Sequence, residues 1–301
     1  MEKILIIKLG ALGDFVLSIG IMREIKKLHP HAEFTLMTGK AFKGMAEQMD
    51  MFSHYIIDNR VSYWNIMAHY RLLREVKAGQ FDRIYDLQGT ARTHKRYFTA
   101  FRFFLDHDYV WCDVPHGRDI RINDGAVVQN IKGEDVVRIT DLSFLKGKGE
   151  HFHLLPERYV MLIPGCSPTH PHKRWPIANY AELVRRLADR GIGSVLIGTK
   201  DEEHELTEIA KASPLAVNMM GKTSLLDVPS LALRALASVG NDTGPSHMAS
   251  LSGAPTIAIY DNRTKQGALL GPRSVNLISP STIDLVTVDM VWAELQKHLG
   301  N

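Results

Sequence analysis

Cysteine is scarce in this sequence: Cys112 and Cys166 are the two in 301 residues. Two thiols cannot build a disulfide framework or a Cys-rich zinc site, and they fit a reducing, cytoplasmic compartment. An excess of one charge is also lacking. Lys+Arg number 36 and Asp+Glu 33, which leaves +3 and gives no compositional case for a nucleic-acid partner. Long apolar runs are missing too. The amino-terminal run Ile4-Leu5-Ile6-Ile7 stops at Lys8, too early for the core of a secretory signal. The longest stretch without Asp, Glu, Lys or Arg, Thr243 to Tyr260, is interrupted by Gly244, Pro245, His247, Gly253 and Pro255. It does not read as a membrane span of ~20 apolar residues. There is no internal repeat and no low-complexity segment.

What is present is ordinary for a folded protein: 45% hydrophobic and 23% charged residues. At roughly 150 residues per domain, the length points to two domains. The chain opens as a buried strand, Ile4 to Leu9, followed by the turn Gly10-Ala11-Leu12-Gly13-Asp14. A helix with Ile19, Met22 and Ile25 at helical spacing ends near His29-Pro30. Phe34–Met37, Tyr55–Ile57 and Arg83–Leu87 read as further strands with helices between them. Such alternation predicts a parallel sheet covered on both faces. The pattern blurs from about Asp106 to Pro156, and the linker is expected near Lys146 to Pro156.

Alternation resumes with the strand Tyr159–Ile163. Trp175-Pro176 opens a helix with Tyr180, Leu183, Val184 and Leu187 on one face, and Gly191 closes it. Ser194–Ile197, Ser238–Gly240 and Thr256–Tyr260 read as strands, Leu225–Leu236 and Met290–Leu299 as helices. The expectation is an α/β protein of two doubly wound halves meeting at a cleft.

Four segments concentrate chemistry. The first is Gly10-x-x-Gly13-Asp14, whose spacing is neither a dinucleotide fingerprint nor a P-loop. Asp14 is open to two readings, a helix N-cap or a base facing the ligand crevice at the end of the first strand. The second, Pro164 to Pro176, joins a strand end to a helix start. Its hydroxyls and the cations Lys173 and Arg174 suit a phosphate, and a plain solvated loop fits as well. His170 and His172 lack a placed acidic or thiol partner and read as surface residues. The third is Gly240-Asn241-Asp242-Thr243-Gly244-Pro245-Ser246-His247, a strand end turning into a helix. Backbone N–H groups of Thr243 and Gly244 would face an anion, with His247 one turn further on, and a capped helix with a partly buried His is the other reading. The fourth runs from Asp86 through Arg92, Lys95 and Arg96 into Tyr97, Phe98, Phe101, Phe103 and Phe104. It reads either as a site for an anionic or membrane-borne partner or as a buried helix face with a cationic edge. Asp106-His107-Asp108 is read as a loop, not a metal motif.

Together these segments resemble glycosyltransferase family 9, the ADP-heptose:lipopolysaccharide heptosyltransferases. The resemblance rests on Ile-Ile-Lys-Leu-Gly-Ala-Leu-Gly-Asp (6–14), Asp-Leu-Gln-Gly (86–89), Pro-Gly-Cys-Ser…Lys-Arg-Trp-Pro (164–176), Gly-Lys-Thr-Ser-Leu (221–225) and Gly-Asn-Asp-Thr-Gly-Pro-Ser-His-Met-Ala (240–249), in that order. It implies the GT-B architecture, two Rossmann-like domains facing a central cleft: an acceptor domain at 1–150, a nucleotide-sugar domain at 151–285, and a C-terminal helix, 286–301, returning to the first domain.

The resemblance also implies inverting, metal-independent transfer of a heptose or related sugar from ADP-heptose to a lipopolysaccharide-core or other glycan acceptor. Asp14 falls at the general base. Lys173 falls at the lysine on the donor phosphates, with Thr169 beside it. Asp242, Thr243, Gly244 and His247 fall in the donor turn, and Glu202, after Gly198, near the ribose. Acceptor contacts are expected at Lys8 and Gly13 and at Arg92, Lys95 and Arg96. The expected partners are a nucleotide sugar and an anionic glycolipid or glycan, with peripheral contact at the cytoplasmic face of the inner membrane and no nucleic acid. Where the family shows a Gly-Pro-Thr type turn, this chain has Asp261-Asn262-Arg263-Thr264. The rival readings are a nucleotide-sugar epimerase of the same architecture and a non-catalytic nucleotide-sugar-binding protein.

Overall fold

The computed structural model describes residues 1–60, 62, 64–113, 120–123, 128–131, 140–263 and 271–300. The chain forms two compact units, Met1–Asp141 and Leu142–Asn301. The boundary therefore precedes the expected one at 150/151.

In the first unit the strands are β1 (Lys3–Ile7), β2 (Glu33–Thr38), β3 (His54–Ile57), β4 (Arg83–Asp86) and β5 (Val110–Asp113). They form one parallel sheet in the order β3-β2-β1-β4-β5. The helices are α1 (Leu12–Leu28), α2 (Lys40–Glu47), α3 (Ile66–Gly79) and α4 (Phe98–Phe104), the last preceded by a π-helical stretch, Ala91–Tyr97. The apolar spacing read in the sequence is what buries: Ile19, Met22 and Ile25 of α1 are wholly enclosed. Each such aliphatic contributes roughly 1.5–3 kcal/mol. One face of the sheet is covered by α3 and α4 together, with Leu72 and Val76 meeting Phe101 and Leu105 over Leu5, Ile7 and Ile84. In the stretch where alternation blurs, Ile120–Asn123 (β6) and Val128–Ile131 (β7) pair as an antiparallel ribbon. Each is only four residues long, too short a run for the sequence to announce it.

The second unit carries β8 (Tyr159–Ile163), β9 (Gly193–Leu196), β10 (Ala216–Asn218), β11 (Ala237–Asn241), β12 (Thr256–Tyr260) and β13 (Ser274–Ile278). Its sheet is parallel, in the order β10-β9-β8-β11-β12-β13. The helices are α5 (Ile177–Ala188), α6 (Glu203–Ala210), α7 (Val228–Arg234), α8 (Gly244–Leu251) and α9 (Val288–Leu299). In both sheets the order reverses beside the first strand, between β1 and β4 and between β8 and β11. Loops leaving the carboxyl ends there diverge and open a crevice, the usual ligand position in such sheets. The C-terminal helix α9, expected to return to the first domain, buries Val291, Leu295 and Leu299 in the second unit's own core, with Leu183, Leu187 and Val239. Arg158 Nη2 also donates to the Leu299 carbonyl at 2.7 Å. The apolar spacing of α9 is a docking face for this sheet.

Candidate functional site

The crevice of the second unit is built on Asn241, the last residue of β11. Its buried amide donates to the Pro164 carbonyl at 2.6 Å and accepts from the Trp175 N–H at 3.2 Å and the Tyr180 hydroxyl at 3.1 Å. One side chain thus holds both ends of the 164–176 loop to the neighbouring strand. Gly240, just before it, permits this closeness: a Cβ there would stand 2.6 Å from Ser246 Oγ and 2.8 Å from Ile163 Cβ. Trp175 is buried, and its indole donates to the Val286 carbonyl at 2.6 Å, so the Trp-Pro helix entry is an anchor.

Lys173 and Asp242 are brought together by this frame. Lys173 Nζ donates to Asp242 Oδ2 at 2.5 Å, and His247 Nε2 lies 3.5 Å from Asp242 Oδ1. Burial pushes the Asp242 carboxyl up, but hydrogen bonds from His247 and Lys173 outweigh it and hold the group below the usual range. Asp242 is therefore an anion that orients two cationic or polar groups at the start of α8. Thr243 takes the N-cap position in extended conformation, with Gly244 and Pro245 in the first turn. The Thr243 and Gly244 N–H groups belong to that first turn, whose end carries the positive dipole.

The remaining donor-side residues are placed less centrally. Thr169 is exposed, and its hydroxyl contacts Ser167 Oγ at 2.8 Å and His170 Nδ1 at 2.9 Å. Glu202 accepts from the Thr199 N–H at 2.8 Å in a capping box. Its carboxylate lies where a Cβ at Gly165 or Gly198 would stand, so both glycines exist to admit it. His170 is exposed and His172 half-exposed, as expected of surface histidines. Among the described residues, no cluster of three His, Cys, Asp or Glu side chains gathers in a metal-binding arrangement. The Cys166 thiol is pushed up by burial, against the pull of Arg174. Asp261, at the end of β12, is fully buried and paired with Arg263, whose hydrogen bonds keep the carboxyl low. The unusual Asp261-Asn262-Arg263 sequence thus closes its own turn. Thr264 lies outside the described residues.

In the first unit, Asp14 is the third residue of α1. Position 11, not 14, is the N-cap, and no side chain caps this helix. The capping reading of Asp14 is therefore excluded. Its side chain is exposed at the carboxyl end of β1, and among the described residues it takes no hydrogen bond. Gly13 precedes it in the same helical turn. Gly10, at φ +115°, lets the Phe42 ring lie 2.6 Å from where a Cβ would stand, and Phe42 stacks on Phe15.

The Asp-Leu-Gln-Gly segment braces this turn. Lys8 Nζ donates to the Leu87 carbonyl at 2.9 Å and the Leu9 N–H to Gln88 Oε1 at 2.9 Å. Asp86 Oδ1 accepts from the Gln88 and Gly89 N–H groups. Lys8 is buried, and this desolvation lowers its pKa to about 8 against the opposing pull of Asp14 and Asp86. The three cations expected at the acceptor divide. Arg92 turns inward, with Nε 3.1 Å from the Tyr97 hydroxyl and 3.6 Å from Asp58 Oδ2. The Tyr97 hydroxyl donates to Asp58 and is pushed well above its ordinary pKa, by burial first and then by that carboxylate. Lys95 is exposed and Arg96 half-buried. Of the aromatic run, Tyr97 and Phe101 are core, while Phe103 and Phe104 are exposed.

The family described as glycosyltransferase family 9 (heptosyltransferase) matches residues 138–281, the stretch that holds Lys173, Asp242 and His247. Over that stretch, just under half of its length, the chain is similar to glycosyltransferase family 9. Lipopolysaccharide core heptosyltransferase OpsX of Haemophilus influenzae is 23% identical over 285 residues, covering 86% of this chain and 79% of that protein. Lipopolysaccharide heptosyltransferase 2 of Escherichia coli is 35% identical over 115 residues, 36% of this chain and 33% of that one. The solved structure of the E. coli ADP-heptose lipopolysaccharide heptosyltransferase II superposes with a TM-score of 0.71 at 21% identity, covering 99% of this chain and 98% of that one. The fold is thus GT-B, as the resemblance implied.

Sequence reasoning passed over two positioning residues. Asn241 appeared only as part of a polar turn, because a satisfied buried amide and a solvated one look alike in sequence. Asp58 gave no signal at all, since its partners Arg92 and Tyr97 lie far along the chain.

Proposed function

We propose that this chain is an inverting glycosyltransferase that moves a heptose from ADP-heptose to a sugar of the lipopolysaccharide core at the cytoplasmic face of the inner membrane. The observation that carries this reading is the Lys173–Asp242–His247 group at the strand-order reversal of the second sheet, in a chain whose matched relatives are heptosyltransferases. The relatives matched in sequence do not favour the epimerase and binding-protein alternatives.

In this reading the donor diphosphate is held by Lys173 and by the N–H groups at the start of α8, with Thr169 and His247 adding hydrogen bonds and Glu202 facing the ribose. Asp14 accepts the proton of the acceptor hydroxyl. The hydroxyl oxygen forms its bond to the anomeric carbon from the face opposite the diphosphate, and the anomeric carbon–oxygen bond breaks with its electron pair leaving on ADP. Base assistance of this kind is typically worth 10²–10⁴-fold. Lys173 and the α8 dipole offset the charge that builds on the leaving group, without a requirement for a metal. Lys8, Gly13, Lys95 and Arg96 serve the anionic acceptor, while Arg92 holds the helical stretch of Lys95 and Arg96 through Asp58.

The test is ADP release from ADP-heptose in the presence of a heptose-deficient core acceptor, with and without chelator. Release that depends on the acceptor and yields a heptosylated product is expected. Release from no ADP- or UDP-sugar would sink the reading in favour of a binding protein.

A further inference from the structure

The most unusual surface of the first unit lies at the start of α3. Trp64 is 91% exposed, Ile66 76%, Met67 62% and Tyr70 51%. Large apolar groups this exposed and this close together mark a surface that meets something. At 100° per residue, Ile66, Tyr70, Arg74, Met67 and Arg71 fall on one continuous arc of the helix. The opposite arc, Leu72 and Val76, is the one buried in the core. So the exposed apolar groups are not part of the fold's own packing.

The charge of this arc selects the occupant. From Asn59 to Arg74 there is no Asp or Glu, while Arg60, Arg71 and Arg74 are present. Among the described residues, Arg71 and Arg74 form no ion pair. A second copy of the same surface would bring like charges together. An anionic surface would complement it, and Trp and Tyr favour the boundary between an apolar phase and water. The patch is also held in place before it binds. Asn65 Oδ1 accepts the Ala68 N–H at 3.0 Å, and His69 Nε2 contacts the Ser62 carbonyl at 3.2 Å. Its position is functional as well. α3 starts from the carboxyl end of β3, the same end of the sheet at which Asp14 leaves β1. Arg60, in the connection, reaches within 3.3 Å of the Cβ position at Gly10. Phe103 and Phe104, by contrast, end a helix that runs away from that end.

We propose that Trp64, Ile66, Met67 and Tyr70, with Arg71 and Arg74, form a docking surface for an anionic lipid bilayer, which would present a membrane-borne acceptor beside Asp14. This moves the expected membrane contact from the basic-aromatic segment at 92–104 to the start of α3, and it deepens the proposed reading, resting on it only for the acceptor.

The experiment is flotation of the full chain with vesicles that carry neither donor nor acceptor. Binding to vesicles containing phosphatidylglycerol is expected, with a blue shift of tryptophan emission, a decline with salt, and at least tenfold weaker binding to pure phosphatidylcholine. Trp64→Ser with Met67→Ser, and separately Arg71→Glu with Arg74→Glu, should each reduce binding at least tenfold while leaving transfer to a soluble, delipidated acceptor unchanged. Absence of wild-type binding, equal binding by either double variant, or a concentration-dependent dimer that the Trp64→Ser, Met67→Ser variant abolishes would each overturn the proposal. Transfer to the soluble acceptor is read separately, so failure of the docking surface and failure of the glycosyltransferase reading give different results.

Discussion

Two ionisable side chains on either side of the turn from β1 to α1, Lys8 and Asp14, behave oppositely, and each makes a prediction. Asp14 is exposed and takes no hydrogen bond among the described residues, so its removal has little to disturb in the fold. Asp14→Asn should lower kcat by about 10²–10⁴-fold while ADP affinity, measured by calorimetry, stays within a factor of two. Normal turnover would show that the carboxylate is not the base. Lys8 is enclosed and its pKa is lowered from 10.5 to about 8. A buried cation is disfavoured, so below pH 8 the native state carries a charge at a cost the unfolded chain does not bear. Between pH 8 and 10.5 the native state has lost that proton and the unfolded state still holds it. There the unfolded state binds more protons, and stability rises with pH. Urea unfolding across this window should show that rise in the wild type and not in Lys8→Met. A parallel rise in both would assign it to another group.

At the scale of elements, the parts of the donor crevice are held by a few buried polar links. Asn241 bonds the 164–176 loop from both ends, and an alanine would leave the Pro164 carbonyl, the Trp175 N–H and the Tyr180 hydroxyl with fewer partners. Each buried group left unsatisfied costs about 1–3 kcal/mol, so Asn241→Ala is expected to lose about 2–4 kcal/mol and to weaken ADP binding as well. Asn241→Asp, nearly the same shape, separates the two effects: it keeps the acceptor and loses the donor to Pro164. Lys173→Ala removes a partner of Asp242 and should weaken ADP binding at least tenfold, with thermal stability changed by no more than a few degrees. Unchanged ADP affinity would take Lys173 out of the phosphate site. The helices and their buried faces were largely legible. Tyr180, Leu183, Val184 and Leu187 fall at helical spacing and bury as that spacing requires. The short strands β6, β7, β10 and β13 were not legible, since three to five residues carry too little pattern.

For the whole molecule, each unit encloses its own apolar cluster, and the residues assigned to the donor all lie beyond Leu142. A fragment 142–301 should therefore fold cooperatively and bind ADP within a few-fold of the full chain, yet transfer nothing. A fragment that melts without a cooperative transition would show that the second core depends on the first unit. Keeping α9 is part of that prediction, because Val291, Leu295 and Leu299 complete this core.

The sequence by itself determined the alternation of strands and helices, the two-unit plan and the family resemblance, because period, turn chemistry and motif order are local properties of the chain. It also singled out Asp14, Lys173, Asp242 and His247 as residue types in the right places. Only the tertiary structure decided how they are used. It showed that Asp14 is not a cap, that Asp242 lies between Lys173 and His247, that Arg92 turns inward to Asp58 and Tyr97, and that α9 stays with the second sheet. All but the first depend on partners tens of residues away. A carboxylate's neighbours, and hence its charge, are set by strand order and side-chain burial, which no spacing along the chain contains.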